Sequence, residues 1–364
     1  MIGYNYPGLG ETEGSMATIA DQIGTRQFTD GLLAWVRGKG NIAIVAHDNP
    51  DPDCLASAMA LRHLFVTKLG QEVVITFSGM IARSENLAMA KELHIPLTPL
   101  GIADLSEFSV VCMLDTQPET GNNSLPPGTR VDLVIDHHPL RDATRLCRWV
   151  DVREEYGVTA TILYEYLQVQ EVPLGTKLAT ALFYAIKSET QDLGREANDP
   201  DREAYHRLFP LTNKSLLNSI NHPKQPVEYF ITISAALANT SIYGNVLISS
   251  PGAVVFPELV AEMADFLLRL EDIEMVLVMG LYNDDLILSM RSNRHDVNAG
   301  EVLRRLVEGY GVAGGHGMMA GGKVKISFLT PATIRAMEDL LKKRFLEGLG
   351  VTELPIRQLV GRRG

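Results

Sequence analysis

A chain of 364 residues, at about 150 residues per domain, predicts two domains. A hydrophobic fraction of 46% beside 21% charged residues excludes a mainly disordered chain, and a formal net charge of −11 excludes one that coats long duplex nucleic acid through a general basic surface. Three widely spaced cysteines, Cys54, Cys112 and Cys147, exclude a disulfide framework and a cysteine-rich zinc site, which predicts a reducing, cytoplasmic setting.

In chain order, residues 1–30 read as an N-terminal extension without the charged and apolar regions of a secretion signal. Short runs rich in Val and Ile follow at 42–46, 73–77, 110–114 and 131–135. They are apolar at successive positions, as in strands of a helix-covered parallel sheet. Between the first two, Leu55, Ala58, Met59, Arg62 and Phe65 recur at helical spacing and Gly70 supplies a stop, so 55–69 is a predicted helix. Helices are also predicted at 158–166 and 178–187, completing a first domain over 31–210. Pro223 and Pro226 mark a linker over 211–235. A smaller α+β domain is predicted over 236–350, with strands at 246–249, 275–281 and 286–290. Its helices fall at 257–270, 297–308 and 331–346, with a hairpin turn at Asp284-Asp285 and a tail over 351–364. No stretch reaches the ~18 to 20 apolar residues of a membrane span, so no membrane partner is expected. The fold class is α/β.

The chemistry is written at the ends of the early strands. After 42–46 comes His47-Asp48-Asn49-Pro50-Asp51-Pro52-Asp53; after 110–114 comes Asp115-Thr116; after 131–135 comes Asp136-His137-His138. In a parallel sheet the carboxyl ends of the strands line one rim, so several carboxylates and three imidazoles are delivered to one place. Such a cluster needs a counter-ion, and mixed carboxylate and imidazole donors suit a divalent cation: Mn²⁺ first, then Mg²⁺, Co²⁺ or Fe²⁺. Pro50 and Pro52 stiffen the first ligand turn. The ligands outnumber what one open site uses, so two metal ions are expected, and two ions ~4 Å apart promote in-line attack on phosphorus. Each segment has an ordinary reading by itself: a turn at Asn49-Pro50-Asp51, a helix cap at Asp115, a surface and a core imidazole at His137 and His138. Their convergence on three strand ends favours the metal site.

These motifs resemble those of the DHH phosphoesterases, a family that includes RecJ-type exonucleases, nanoRNase/pAp-phosphatases and manganese-dependent inorganic pyrophosphatases. Downstream, Arg291-Ser292, Asp296-Val297, Gly314-Gly315-His316 and Ala320-Gly321 resemble the DHH-associated C-terminal domain. The resemblance implies that His47, Asp51 and Asp115 hold one metal and that Asp53, Asp115 and His137 hold the other. It places His138, with Asp115 and Asp136, in the catalytic set, His138 meeting the scissile phosphate or protonating the leaving oxygen. The family's further Asp has no exact counterpart: Glu189 stands at its place and Asp192 lies three residues on, and both remain candidates.

Arg291, Ser292, Gly314, Gly315 and His316 read as a substrate clamp, because paired glycines admit an anion to the backbone and Arg and His donate to phosphate. A solvated turn is the ordinary alternative. The resemblance implies hydrolysis of short nucleotide substrates (oligoribonucleotides, pAp or linear dinucleotides) in a cleft between the domains, and a homodimer. Two rivals are an inorganic pyrophosphatase, against which the Gly-Gly-His loop speaks, and a nucleotide-binding regulatory protein with decayed catalysis, for which Glu189 speaks.

Overall fold

Branched apolar residues in an unbroken run suit a strand covered on both sides, and the first four runs pair into one parallel sheet. The computed structural model describes residues 19–81, 83–195, 197–351 and 357–360, and the chain divides into two units between Pro223 and Lys224. Residues 1–18 of the predicted extension lie outside the described residues. The rest of it is helical, in α1 (Ile19–Val36), because Leu32, Leu33 and Val36 bury an apolar stripe in the core.

The first unit continues with β1 (Ile42–Val45), α2 (Pro52–Leu69), β2 (Val73–Phe77), α3 (Ser84–Leu93), β3 (Leu97–Pro99), β4 (Val110–Leu114), β5 (Leu133–Asp136) and β6 (Trp149–Val152). Helices α4 (Thr159–Val169), α5 (Thr176–Glu189), α6 (Asp199–Leu208) and α7 (Lys214–Asn221) follow. The six strands are all parallel in the order β3-β2-β1-β4-β5-β6. Helix α2 starts three residues before the predicted one: Asp51 caps it by accepting from the Cys54 N–H (3.0 Å), and Pro52 fits the first turn. Gly70 ends it in the left-handed conformation at φ 66°.

The sheet's two faces are covered differently. Ile42, Ile44, Cys112, Leu114, Leu133 and Ile135 pack into the core that the helices share. Val45, Val111, Met113 and Val134 point the other way, where Leu105, Phe108, Leu125 and Val131 cover them from irregular segments. Strand order reverses between β1 and β4, so right-handed connections place α2 and α3 on one face and the segments after β4 and β5 on the other. The segment after β4 contains Pro118, Gly121, Pro126, Pro127 and Gly128, which prevent a helix there.

The second unit contains α8 (Val227–Ala238), β7 (Thr240–Tyr243), β8 (Val246–Ala253), α9 (Glu258–Leu267), β9 (Met275–Tyr282), β10 (Asp285–Ser292), α10 (Ala299–Val307), β11 (Gly311–His316), β12 (Met319–Lys325), α11 (Pro331–Gly348) and β13 (Arg357–Gln358). Its mixed sheet runs β11-β12-β10-β9-β8-β7-β13, with β8 and β9 parallel. Met275, Leu277 and Met279 of β9 join one core and Val276 and Val278 the other, so this strand too is buried on both faces. The hairpin turn falls at Asn283-Asp284, one residue before the predicted pair, and Asn283 takes φ 51°. Where a linker was predicted, α7 and most of α8 are helical. Among the described residues, no helix is long and apolar enough to cross a membrane.

Candidate metal centre

The segments that leave β1, β4 and β5 meet at the reversal of strand order, the place where ligands enter open parallel sheets. Asp115 leaves β4 with a left-handed backbone (φ 56°), which Asp tolerates better than most residues, and its side chain is buried. Its Oδ2 lies 3.5 Å from His47 Nε2 and its Oδ1 lies 3.6 Å from His137 Nε2. Each oxygen of one carboxylate therefore faces a different imidazole. His47 Nε2 is also 3.6 Å from Asp51 Oδ1, and His137 Nε2 is 4.0 Å from Asp53 Oδ2.

The other ring nitrogens decide what these imidazoles offer. His47 Nδ1 lies 2.9 Å from the Asp48 carbonyl and His137 Nδ1 lies 3.1 Å from that of Tyr156. A carbonyl only accepts, so Nδ1 donates in both rings and Nε2 is the nitrogen turned toward the carboxylates. Nε2 atoms and carboxylate oxygens that face one another at 3.5–4.0 Å leave room for a cation between them. These separations are wider than hydrogen bonds and fall within the ~4.2 Å that two ligands about 2.1 Å from one ion can span. The donor set fits divalent metal ions.

Electrostatics tells the same story. Burial disfavours a charged His47, yet Cys54, Asp51 and Asp115 hold its pKa well above the usual value. Burial likewise works against the Asp51 anion, but His47 and the N–H groups of Cys54 and Asp53 bring its pKa down to about 2. Asp53 goes the other way: burial, then the charges of Asp115, Asp51 and Glu189, push its carboxyl well above the ordinary range. Burial and repulsion from Asp51 and Asp115 raise Glu189 to about 7. A site that forces carboxylates to hold protons is short of positive charge.

Of the two candidates for the last ligand, Glu189 belongs electrostatically to this cluster, although as the final residue of α5 it sits at the unfavourable end of the helix dipole. Asp192 is half-exposed, pairs with Lys187 (3.2 Å) and accepts from the Tyr205 hydroxyl (3.1 Å). Asp136, expected with the catalytic set, is buried: its Oδ1 accepts from the backbone N–H of His137 (2.8 Å) and of His138 (3.2 Å) and from His138 Nδ1 (2.9 Å). It orients the half-exposed His138. Burial disfavours the protonated ring, but Asp136 and Asp115 raise its pKa to about 9.

Residues that sequence reasoning missed hold the candidate ligands from behind. The first N–H groups of α4, from Thr159 and Ala160, donate to Asp53 Oδ2 and Oδ1 at 2.7 Å each, and Thr159 Oγ1 donates to Asp115 Oδ1 at 3.1 Å. Gln117 donates to Asp136 Oδ2 at 2.8 Å. Backbone donors carry no side-chain signal. Only the placement of a helix start near residue 158 pointed toward them.

In the second unit the predicted clamp divides. Arg291 and Ser292 are buried at the end of β10, a strand flanked by β9 and β12. The Arg291 guanidinium donates to Asp265 (2.5 Å), Ser289 Oγ (2.9 Å) and the Met290 carbonyl (3.0 Å), and Ser292 Oγ accepts from the Arg294 N–H (3.0 Å). These two residues are turned inward because a strand inside the sheet buries both its faces. Gly314 and Gly315 are exposed on the edge strand β11, and a Cβ on Gly314 would meet nothing within 4 Å. His316 ends that strand; its side chain lies outside the described residues.

Comparison with known proteins follows this division. Residues 41–186 match the DHH family N-terminal domain and residues 243–343 match the DHHA1 domain. The chain is 33% identical over 322 residues to an uncharacterized protein of Methanocaldococcus jannaschii, covering 86% of this chain and 65% of that protein's length. It is 27% identical over 175 residues to a probable manganese-dependent inorganic pyrophosphatase of Oceanobacillus iheyensis, covering 48% of this chain and 56% of that one. In fold it is similar to an exopolyphosphatase-related protein from Bacteroides fragilis, with a TM-score of 0.69 at 15% identity over 88% of this chain and 97% of that one. It is also similar to exonuclease RecJ bound to manganese, with a TM-score of 0.52 at 14% identity over 91% of this chain and 96% of that one. The chain thus carries a DHH family N-terminal domain followed by a DHHA1 domain.

Proposed function

We propose that this chain is a two-metal phosphoesterase that hydrolyses phosphate esters of short nucleotides: oligoribonucleotides, pAp or linear dinucleotides. The observation that carries the reading is the single Asp115 carboxylate with one oxygen toward His47 and the other toward His137. His47, Asp51 and Asp115 would hold one divalent ion, and Asp53, Asp115, His137 and Glu189 the other, with manganese the leading candidate. When bound, such ions supply Lewis-acid charge for phosphoryl oxygens and lower the pKa of water toward that of a usable nucleophile.

The chain's own residues do the rest. Asp136 keeps the proton on His138 Nδ1, which leaves Nε2 for a phosphoryl or leaving-group oxygen. A pKa raised to about 9 keeps that ring protonated at neutral pH and able to donate. In the second unit, the exposed backbone at Gly314-Gly315 is proposed to bind a phosphate group. Short substrates suit a chain of net charge −11, which lacks general attraction for long polyanions.

The test is Mn²⁺-dependent hydrolysis of a di- and a pentaribonucleotide, a 24-mer, pAp, pGpG and pyrophosphate, with the Asp115→Ala protein in parallel. Cleavage of the nucleotides, lost in the variant, supports the proposal. The similarity to the Oceanobacillus protein makes pyrophosphate the rival substrate, and its cleavage alone would replace this reading. Tight nucleotide binding without turnover would point to a regulatory protein.

A further inference from the structure

Gln117 lies two residues beyond Asp115 in the irregular segment after β4 and is wholly buried. Its Nε2 donates to Asp136 Oδ2 (2.8 Å), the Pro139 carbonyl (3.1 Å) and the His138 carbonyl (3.3 Å). Its Oε1 accepts from the Arg141 N–H (2.8 Å) and from Thr144 Oγ1 (2.8 Å). One amide thus ties the segment after β4 to the segment after β5. The partners dictate its orientation, because a carboxylate and two carbonyls require the NH₂ group, while an N–H and a hydroxyl require the oxygen.

The grip on Asp136 is two-sided. Oδ1 accepts from His138 Nδ1 and from the backbone of His137 and His138, and Oδ2 accepts from Gln117. A carboxylate held at one oxygen turns about its Cβ–Cγ bond; one held at both does not. Among the described residues, Asp136 is the one hydrogen-bond partner of the His138 ring, so the ring is only as well placed as the carboxylate.

We propose that Gln117 is a positioning residue: through Asp136 it holds the His138 ring with Nδ1–H on the carboxylate and Nε2 directed to the reacting phosphate. This inference rests on the reading of His138 as the group that meets the substrate, and it adds the device that aims it. Gln is required over Glu, because a second carboxylate would face Asp136 and the two carbonyls without a proton to donate. Loss of the amide donor strands a buried carboxylate oxygen.

The experiment separates aim from folding. In the full-length chain, the low-field Nδ1–H proton resonance of His138 is recorded by NMR without added metal and assigned by its loss in His138→Gln. Turnover of bis(p-nitrophenyl) phosphate with Mn²⁺ and the Mn²⁺ affinity, by EPR of the free ion, are measured alongside. Gln117→Glu keeps the acceptor for Arg141 and Thr144 but loses the donor. It is expected to lose the resonance and to lower kcat about 10–100-fold, with KM and Mn²⁺ affinity within about threefold. Thr144→Val, which removes a staple on the far side of the amide, keeps the resonance and kcat. Gln117→Met removes both ends, and if it fails to fold, Gln117→Glu still decides. A resonance unchanged in Gln117→Glu, or missing from the wild type, overturns the proposal. A normal kcat in His138→Gln overturns the reading of His138 instead, and the resonance then still judges Gln117.

Discussion

Asp115 concentrates the site at the scale of one residue: a left-handed backbone, a buried side chain and two carboxylate oxygens pointing to two histidines. Strain and buried charge at one position are tolerated when function needs them. Asp115→Asn, which also accepts the left-handed backbone, is expected to lower Mn²⁺-dependent kcat/KM by more than about 10³-fold, some 4 kcal/mol of transition-state stabilisation. The same change should raise the urea midpoint of the metal-free protein, because it removes one of several repelling charges. A midpoint that falls would show that Asp115 is held for stability. Glu189→Ala is expected to weaken Mn²⁺ binding about tenfold or more, and Asp192→Ala to leave it unchanged, by calorimetric titration. The reverse ranking would return the last ligand to Asp192. At this scale the sequence was legible for the carboxylates and imidazoles that meet at the strand ends. It favoured Glu189 and kept Asp192, and where each side chain points is set only once the turn after α5 is formed.

The elements set the directions. Helix α2 begins at Asp51, its N-cap, and carries Asp53 in its first turn, and α4 meets Asp53 with its first two N–H groups, where the positive end of the helix favours an anion. Thr159→Val keeps the N–H bond to Asp53 and removes the hydroxyl that donates to Asp115. We expect Mn²⁺ affinity to fall about tenfold with little change in fold; an EPR titration with unaltered affinity would assign Thr159 to helix packing alone. In the second unit, Gly315 has φ 141°, and a Cβ there would lie 2.4 Å from the Met319 carbonyl oxygen and 2.6 Å from Ala320 Cα. Gly315→Ala should destabilise the protein by about 1–3 kcal/mol, read as a lower midpoint in thermal unfolding. Strands β11 and β12 escaped sequence reading because their glycines lower strand propensity and blur the alternation. Helix α8 was hidden by Pro223 and Pro226, which punctuate the chain just before it.

For the whole molecule, the shifted groups predict how acidity and metal act on stability. Glu189 titrates near 7 when folded and near 4.5 when unfolded, so its contribution is fully present below 4.5 and is lost as pH rises through 7. His138, near 9 folded and 6.5 unfolded, contributes below 6.5 and loses that contribution as pH rises through 9. Asp51 has the opposite sign, but its window, between 3.8 and about 2, lies below this range. The metal-free protein should therefore lose stability between pH 5 and 9. Metal competes with those protons, so Mn²⁺ should stabilise more as pH rises and flatten the curve. Thermal midpoints across that range, with and without Mn²⁺, check this; a flat metal-free profile would contradict the charge-crowded site.

By itself the sequence determined two domains, the parallel sheet, the strand ends that bear the carboxylates and imidazoles and the family they resemble, because each is written locally as an apolar run followed by charged residues. Tertiary structure decided what local pattern does not contain. It paired Asp192 with Lys187, buried Arg291 against Asp265 and covered one face of the first sheet with irregular segments. It also placed Gln117 on Asp136, Thr159 on Asp115 and the Tyr156 carbonyl on His137. The reason is common to all of these: which partner a polar group finds depends on which distant segments the strand order brings beside it.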